Sequence, residues 1–523
     1  MMPSQPQQPS APTPQQVFDQ ARRLLSLGDF HEAAQRAALL RSQFGQQVPM
    51  LALHGFAMSA VGMHEVAVKD LGAAVGATER ALAERDAEDA NRPRLADQLM
   101  RLSVQAARSW EALGDRAEAD ASLSRALKID PEDPEATRAR VEILAGRGEV
   151  AEARRELDQA NELGLEELPS AMSAGAVALA RSDTGGEEFR VLAQRIRALT
   201  EVVGLDAATQ GDALRRCGAL FDRAGAVDDA FRAFTRAANL KRGSFDAAAH
   251  AKVTNAVIAG WTAEAMGKVR SPASDGAPGP VFVVSLPGSG GEDLGRAMAR
   301  AGAGGTGGAA SLGPSELLTV AAVRHAGARP TPYRPALASP SGLRGAQLSE
   351  VAAFYRSQAV RHAWAPGAVD GSSVFVDASS LHGHLIGLAA MALPGARFVL
   401  LRRDLREATL ACYFGAMCGH YPFSRDLATT ASFLRDADRL MDHWAGVLAA
   451  MGRTVVSAER AALASDPGGE TRRIMGELGL EVGSVDGPRL VGGAWAHPER
   501  YARRLEGLEG FFGQRTAGSG VGG

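Results

Sequence analysis

The chain is short of cysteine, with only Cys217, Cys412 and Cys418 among its 523 residues. Three thiols give no disulfide framework, and neither they nor the scattered histidines fall at metal-ligand spacing, so no metal site is expected. Surplus charge is missing as well. Lys and Arg number 57 against 60 Asp and Glu, a formal charge of −3, and the pI lies near 6.4, which argues against bulk nucleic-acid binding. No run reaches the roughly 18 apolar residues that a membrane span needs. The opening MMPSQPQQPSAPTPQQ is polar and rich in Pro and Gln, which reads as neither a signal peptide nor an anchor. These absences predict a soluble protein of a reducing compartment, the cytoplasm. A chain of this length should hold at least two domains, each able to bury a core.

What is present in the first half is a repeat. A Gly-x-x-x-x-Ala signal recurs at Gly28/Ala33, Gly62/Ala67, Gly114/Ala119, Gly148/Ala153 and Gly225/Ala230. Gly28 to Gly62 and Gly114 to Gly148 are both 34 residues apart, the period of tetratricopeptide repeats, in which each unit is a pair of antiparallel helices. Seven residues beyond each alanine stand Leu40, Ala74, Ala126, Ala160 and Ala237, and small side chains at both places let paired helices approach closely. The charged stretch from Glu79 to Pro93 is expected to lengthen or interrupt a helix. One divergent unit is expected to turn near Gly185-Gly186. That makes about six units. Such arrays wind into a superhelix whose concave face commonly holds peptides or partner proteins, so a peptide or protein partner is expected here, the alternative being an array that caps or dimerises the second domain.

The second half alternates strand and helix signals. Strands are expected at Val281–Val284, Val374–Val376, Phe398–Leu401 and Thr454–Val456, with helices over Leu381–Leu393, Arg406–Met417 and Ser432–Met451. That alternation predicts a parallel sheet with ligands at the C-terminal strand ends. Two mobile loops are expected, Gly302–Gly313 and Arg329–Gly345. The predicted organisation is therefore α plus α/β: a tail over 1–14, an all-α tetratricopeptide superhelix over 15–243, a helical connector and linker over 244–280, a P-loop-like α/β domain over 281–512, and a tail over 513–523. The first strand runs into Pro287-Gly288-Ser289-Gly290-Gly291 and then a helix. Backbone N–H groups of such a loop, with the helix dipole behind them, form an anion cradle. A nucleotide-hydrolase or kinase loop would end in Gly-Lys-Ser/Thr; Glu292 and Asp293 follow here, with no lysine.

Residues 281 to about 480 resemble the sulfotransferase domain of bacterial tetratricopeptide-repeat sulfotransferases, relatives of the tyrosylprotein sulfotransferases. The segment FVLLRRDLREATLACYF, residues 398–414, is similar to the family's RRDPRDxxLSCYF signature, which grips the 3′-phosphate of the donor 3′-phosphoadenosine 5′-phosphosulfate. The resemblance implies sulfuryl transfer from that donor to a hydroxyl, with the acceptor possible on a protein held by the repeats. It implies Arg403 as the 3′-phosphate clamp and Gly288, Ser289, Gly290 and Gly291 as the 5′-phosphosulfate cradle. Glu316, in Gly313-Pro314-Ser315-Glu316-Leu317, falls where the family keeps the glutamate that acts as general base.

The family loop reads P-R-S-G-T-T, so its arginine and both threonines are gone. The lysine of the family's D-K-x-P segment is Ala378, and the signature serine is Ala411. A lost charge-assisted hydrogen bond removes about 1.5–3 kcal/mol, and a carboxylate 4 Å from a phosphate opposes it by about 4 kcal/mol at an effective dielectric of 20. Gly288, Glu292, Ala378 and Ala411 together predict weak, altered or lost transfer. The rival expectation is a non-catalytic interaction scaffold on the same fold. Glu292 and Asp293 also suit a first helical turn, and His382 and His384 are further base candidates that also suit a structural role. Near the C-terminus, Gly492-Gly493-Ala494-Trp495 stands in place of a basic loop, and Trp495 and Tyr501 read as packing residues.

Overall fold

A computed structural model describes residues 13–513 except 46, 87, 182–185, 202–203, 241–242, 274–275, 303–307, 330, 332–334, 381, 416–420, 484 and 486–496. Cys418, Gly185 and the Gly492–Trp495 segment lie outside the described residues. Among the described residues twelve helices pair in chain order: α1 (Pro14–Ser26) with α2 (Phe30–Phe44), α3 (Val48–Ala60) with α4 (His64–Ala83), and α5 (Arg92–Leu113) with α6 (Arg116–Ile129). Then come α7 (Pro134–Arg147) with α8 (Val150–Glu162), α9 (Glu167–Ala180) with α10 (Gly186–Leu199), and α11 (Ala207–Arg223) with α12 (Val227–Asn239).

The repeated glycine has one physical job. At Gly28, Gly62, Gly114, Gly148 and Gly225 φ lies between 75° and 82°, the left-handed conformation that ends a helix without a Cβ clash. The next residue's N–H then reaches back to the carbonyl five residues earlier, Asp115 to Trp110 at 3.0 Å and Glu149 to Leu144 at 2.9 Å. Each partner alanine, from Ala33 to Ala230, is fully buried between its two helices. The charged stretch lengthens the helices on either side of it, since α4 has 20 residues and α5 has 22. A Cβ on Gly28 would lie 3.8 Å from Ala208 at the start of α11, and α1 touches α11, so the sixth unit packs near the first.

After α13 (Ala247–Gly260) and α14 (Ala263–Gly267) the chain enters the sheet. The strands are β1 (Val281–Ser285), β2 (Ala309–Gly313), β3 (Val374–Asp377), β4 (Arg397–Arg402) and β5 (Val455–Glu459), ordered β2-β3-β1-β4-β5 and all parallel. Apolar runs such as Val281–Val284 and Phe398–Leu401 are buried on both faces, as a helix-covered parallel sheet requires. Helices α15 (Gly291–Ala301), α16 (Leu317–His325), α17 (Gly345–His362), α18 (Ile386–Ala392), α19 (Leu405–Phe414), α20 (Leu427–Ala450), α21 (Arg460–Ser465) and α22 (Pro467–Glu477) supply the cover.

Two expectations need correction. Residues 309–313, expected within a mobile loop, form the edge strand β2. Its Ala-Ala-Ser-Leu-Gly composition gives little strand signal, and pairing with β3 decides it. The single helix expected over Leu381–Leu393 is a 3₁₀ turn at His382–Leu385 followed by the short α18.

The repeats and the α/β domain share apolar packing. Phe234 of α12 stacks on Phe414 of α19 with centroids 4.1 Å apart, and Tyr413 donates to Thr235 at 3.1 Å. Tyr501, fully buried, donates to Asp222 of α11 at 2.7 Å, which bears out its reading as a packing residue.

Candidate functional site

Chain direction reverses beside β1. The chain leaves β1 toward β2 on one side and leaves β4 toward β5 on the other, so the crevice between their C-terminal ends is the sheet's switch point, where α/β folds place ligands. The loop Leu286–Gly290 follows β1, and Arg403 follows β4. Gly290, at φ 86°, is the N-cap of α15, and Gly288 also has positive φ, 76°. A Cβ on Gly291 would lie 2.4 Å from Ser285 Oγ, so this position needs glycine for the helix to start this close to the strand.

Arg403 reaches into that loop. Its Nη1 donates to the Gly288 carbonyl at 2.5 Å and its Nε to Glu407 at 3.2 Å. The side chain is almost fully buried, and Nη2 has no hydrogen-bond partner. Ser289 is likewise buried, with Oγ unpartnered. Two buried donors left open cost about 1–3 kcal/mol each, and an anionic group held at this loop would give them acceptors. Residues from the two loops thus fit an anion. Asp404 stays out of the cradle, accepting from the Arg406 and Glu407 amides at 2.9 and 3.1 Å as the cap of α19.

Arg460 is the residue that sequence reasoning missed. It opens α21 directly after β5 and donates to the Ser289 carbonyl at 3.3 Å. Burial lowers the proton affinity of both arginines, and Arg403 lowers that of Arg460 further; Glu407 partly offsets this at both and Asp293 at Arg460. The usable signal was its position, a cation at the C-terminal end of a strand in a parallel sheet. The other arginine of the 402–403 pair is spent elsewhere, since Arg402 pairs with Asp438 at 2.8 Å and Asp442 at 2.6 Å.

The departures from the family pattern all have packed positions. The Ala411 methyl would stand 3.2 Å from a Cβ on Gly288, and the Ala378 methyl 3.1 Å from one on Gly295. Ala378 is fully buried, so no opening remains for a lysine there. Glu292 does more than suit the helix dipole: its carboxylate lies near Gly62 of the repeats. Burial pushes its pKa up to about 7 against the pull of Arg296. Near neutral pH a good part of it is therefore uncharged, which softens the repulsion expected for a bound phosphate.

Glu316 caps α16 after β2, two strands from β1, which at the usual strand spacing is about 10 Å across the same end of the sheet. Its neighbour Ser315 donates to Asp377 at 2.9 Å, and Tyr355 donates to the same oxygen at 3.1 Å. Asp377 is buried, and that burial raises its pKa. His382 Nδ1 lies 3.6 Å from the other Asp377 oxygen, beyond hydrogen-bond reach, and both its ring nitrogens are buried without a partner. His384 packs edge-on to His250 and meets Thr254 Oγ1 at 3.1 Å; burial drops its pKa to about 3. The structure therefore brings Gly288–Gly291 and Arg403 together and sets Glu316 across β3 from them.

A cavity of about 560 Å³ opens at the opposite, N-terminal end of the strands, beside Gly279, Ala309, Val374 and Thr454. Its arginines cap helix ends, with Arg397 donating to the Leu478 carbonyl and Arg453 to that of Ala390, so it is not the switch-point site. Among the described residues no group of three His, Cys, Asp or Glu side chains could hold a metal ion, and no helix is long and apolar enough to cross a membrane.

Comparison with known proteins agrees with this geometry in the second half. Residues 280–484 match the model of the Sulfotransferase family. No curated protein matches the chain. Solved structures similar to it include yeast Tom70, 16% identical over 44% of this chain and 44% of that one, with a TM-score of 0.30. Another is the assembly chaperone of RpL4, Acl4, residues 1–338, 17% identical over 40% of this chain and 97% of that one, with a TM-score of 0.22. The chain thus matches less than half the length of the Tom70 structure.

Proposed function

We propose that the α/β domain binds 3′-phosphoadenosine 5′-phosphosulfate at the switch-point crevice and directs sulfuryl transfer to a hydroxyl acceptor. The observation that carries this is the pair of buried, unpartnered donors, Ser289 Oγ and Arg403 Nη2, at the turn of a β1–loop–α15 cradle. The donor supplies an activated sulfuryl group. The chain's part is electrostatic and positional. The Gly288–Gly291 backbone and Ser289 hold one anionic group, with Arg403 and Arg460 adding positive charge from β4 and β5. Arginine suits that task because it stays charged and offers several N–H donors in one plane. Glu316 removes the acceptor's proton, for which it needs hydrogen-bond reach of the hydroxyl. The array, which meets the domain at α15 and at α19, presents a protein acceptor.

Calorimetry with 3′-phosphoadenosine 5′-phosphate tests the donor assignment. Micromolar binding is expected, weakened at least tenfold by Arg403→Ala or Arg460→Ala. No binding at high micromolar ligand would end it. Glu316→Gln is expected to leave that binding intact and to abolish transfer.

A second reading, a non-catalytic scaffold that keeps a nucleotide site, is favoured by one observation: Ala378 is fully buried where the family pattern places a lysine. Nucleotide binding without transfer to hydroxyl-bearing peptides would select it.

A further inference from the structure

A buried ion pair joins the two halves of the molecule. Glu65 of α4 is fully buried, and its Oε1 receives Arg296 Nε of α15 at 2.9 Å. The same oxygen receives Ser311 Oγ of β2 at 2.9 Å. Arg296 also donates to the carbonyl of Gly62, the repeat turn just before α4, at 2.8 Å. Ser311 Oγ in turn accepts from the Gly313 amide at 3.1 Å. A Cβ on Gly313 would lie 2.4 Å from Glu65 Oε2, so glycine at φ 60° lets the carboxylate close on the end of β2.

These partners are not scattered. Arg296 sits five residues into the helix that begins at the donor loop. Ser311 and Gly313 lie just before Ser315 and Glu316. One repeat carboxylate therefore holds, at the same atom, the element bearing the loop and the element bearing the base. Burial by itself would raise the Glu65 pKa, and Arg296 outweighs it, so Glu65 stays ionised. Among the described residues the charges that act on it are Arg296, Glu292 and Asp293 on α15 and His64 and Lys69 on its own helix; burial drops His64 to about 3 and keeps it neutral. A buried carboxylate with one strong cation and one hydroxyl partner tolerates little displacement, because any movement leaves a charge unpaired.

On the strength of the donor assignment above, we infer that Glu65 of the repeat array is a positioning residue for the transfer site, fixing the separation between the Gly288–Gly291 loop and Glu316. The array is then part of the site's architecture, and a ligand that displaces α4 acts on both reacting partners at once.

Hydrogen exchange of the full chain, read together with binding of 3′-phosphoadenosine 5′-phosphate, tests this. Glu65→Ala is expected to speed exchange in two segments at once, 286–295 and 311–318, and to weaken nucleotide binding at least tenfold. Glu65→Gln keeps the shape and the Ser311 bond while losing the charge, and should give a smaller change in the same two segments. Asp222→Asn is the control: it loosens another contact between the halves, that of Asp222 with Tyr501 and Arg500, and should leave both segments and the affinity unaltered. Equal effects from Asp222→Asn and Glu65→Ala would reduce Glu65 to general docking and overturn the inference. So would a Glu65→Ala protein, folded by circular dichroism, whose two segments exchange as in the wild type. If Glu65→Ala does not fold, the Glu65→Gln exchange pattern decides alone. If the wild type binds no nucleotide, the donor assignment fails while the exchange data still decide on Glu65.

Discussion

Glu292 shows how far a residue's neighbours can alter its meaning. An acid in a first helical turn is ordinary, but here Gly62 of the repeats lies over it and burial raises its pKa from 4.5 to about 7. Because the folded pKa is the higher one, the folded chain holds this proton more firmly. Its contribution to stability is full below about pH 4.5 and is lost as pH rises through about 7. Glu292→Gln should therefore gain thermal stability relative to the wild type as pH goes from about 5 to 8, as read by melting temperature. His64 runs in the opposite direction, but it is common to both proteins and cancels in the difference. Gly288 is the second instructive position. Restoring the family's arginine there should not restore the site, because φ is 76° and the Ala411 methyl is already 3.2 Å from the place of a Cβ. A left-handed L residue costs about 1–2 kcal/mol, so Gly288→Arg should lower the urea midpoint and leave nucleotide affinity no better.

Among the elements, the repeat turns were the most legible from sequence and the β2 region the least. A glycine forced into positive φ recurs at a fixed offset from a buried alanine, so the physics repeats and the pattern with it. Two of those turns separate local strain from docking. At Gly148 a Cβ would meet open space, whereas at Gly114 it would strike the Arg300 guanidinium at 2.8 Å. Arg300 bonds the Leu113 carbonyl at 2.6 Å across the boundary between the halves. Gly148→Ala should cost about 1 kcal/mol through φ strain, and Gly114→Ala more, since Arg300 must also move. Urea denaturation of the two variants checks the order. Strand β2 leaves little trace in the sequence for a complementary reason: Ala309, Ala310 and Gly313 have weak strand preference, and the neighbouring β3 supplies the hydrogen bonds that fix it.

At the scale of the whole molecule, the halves do not behave as beads on a string. Phe234 and Phe414 stack across them, Tyr501 bonds to Asp222, and Glu65 and Arg296 are paired between them in full burial. Shared cores unfold together, so calorimetry of the full chain should show one heat-absorption peak; two separated peaks would contradict the coupling. By itself the sequence determined what local rules write. Those are the 34-residue spacing, the two-helix units, the four apolar strands, the glycine cradle after the first of them, and Arg403 after another. The tertiary structure alone decided which partners those residues meet. Arg460 arrives at the loop only because β5 lies beside β4, Arg403 commits two of its nitrogens to Gly288 and Glu407, and Glu65 joins α15 to β2 across more than two hundred residues. Backbone conformation and burial pattern are set by neighbours in the chain and leave a trace in it; an ion pair between distant segments has no periodicity, and only the packed fold brings its ends together.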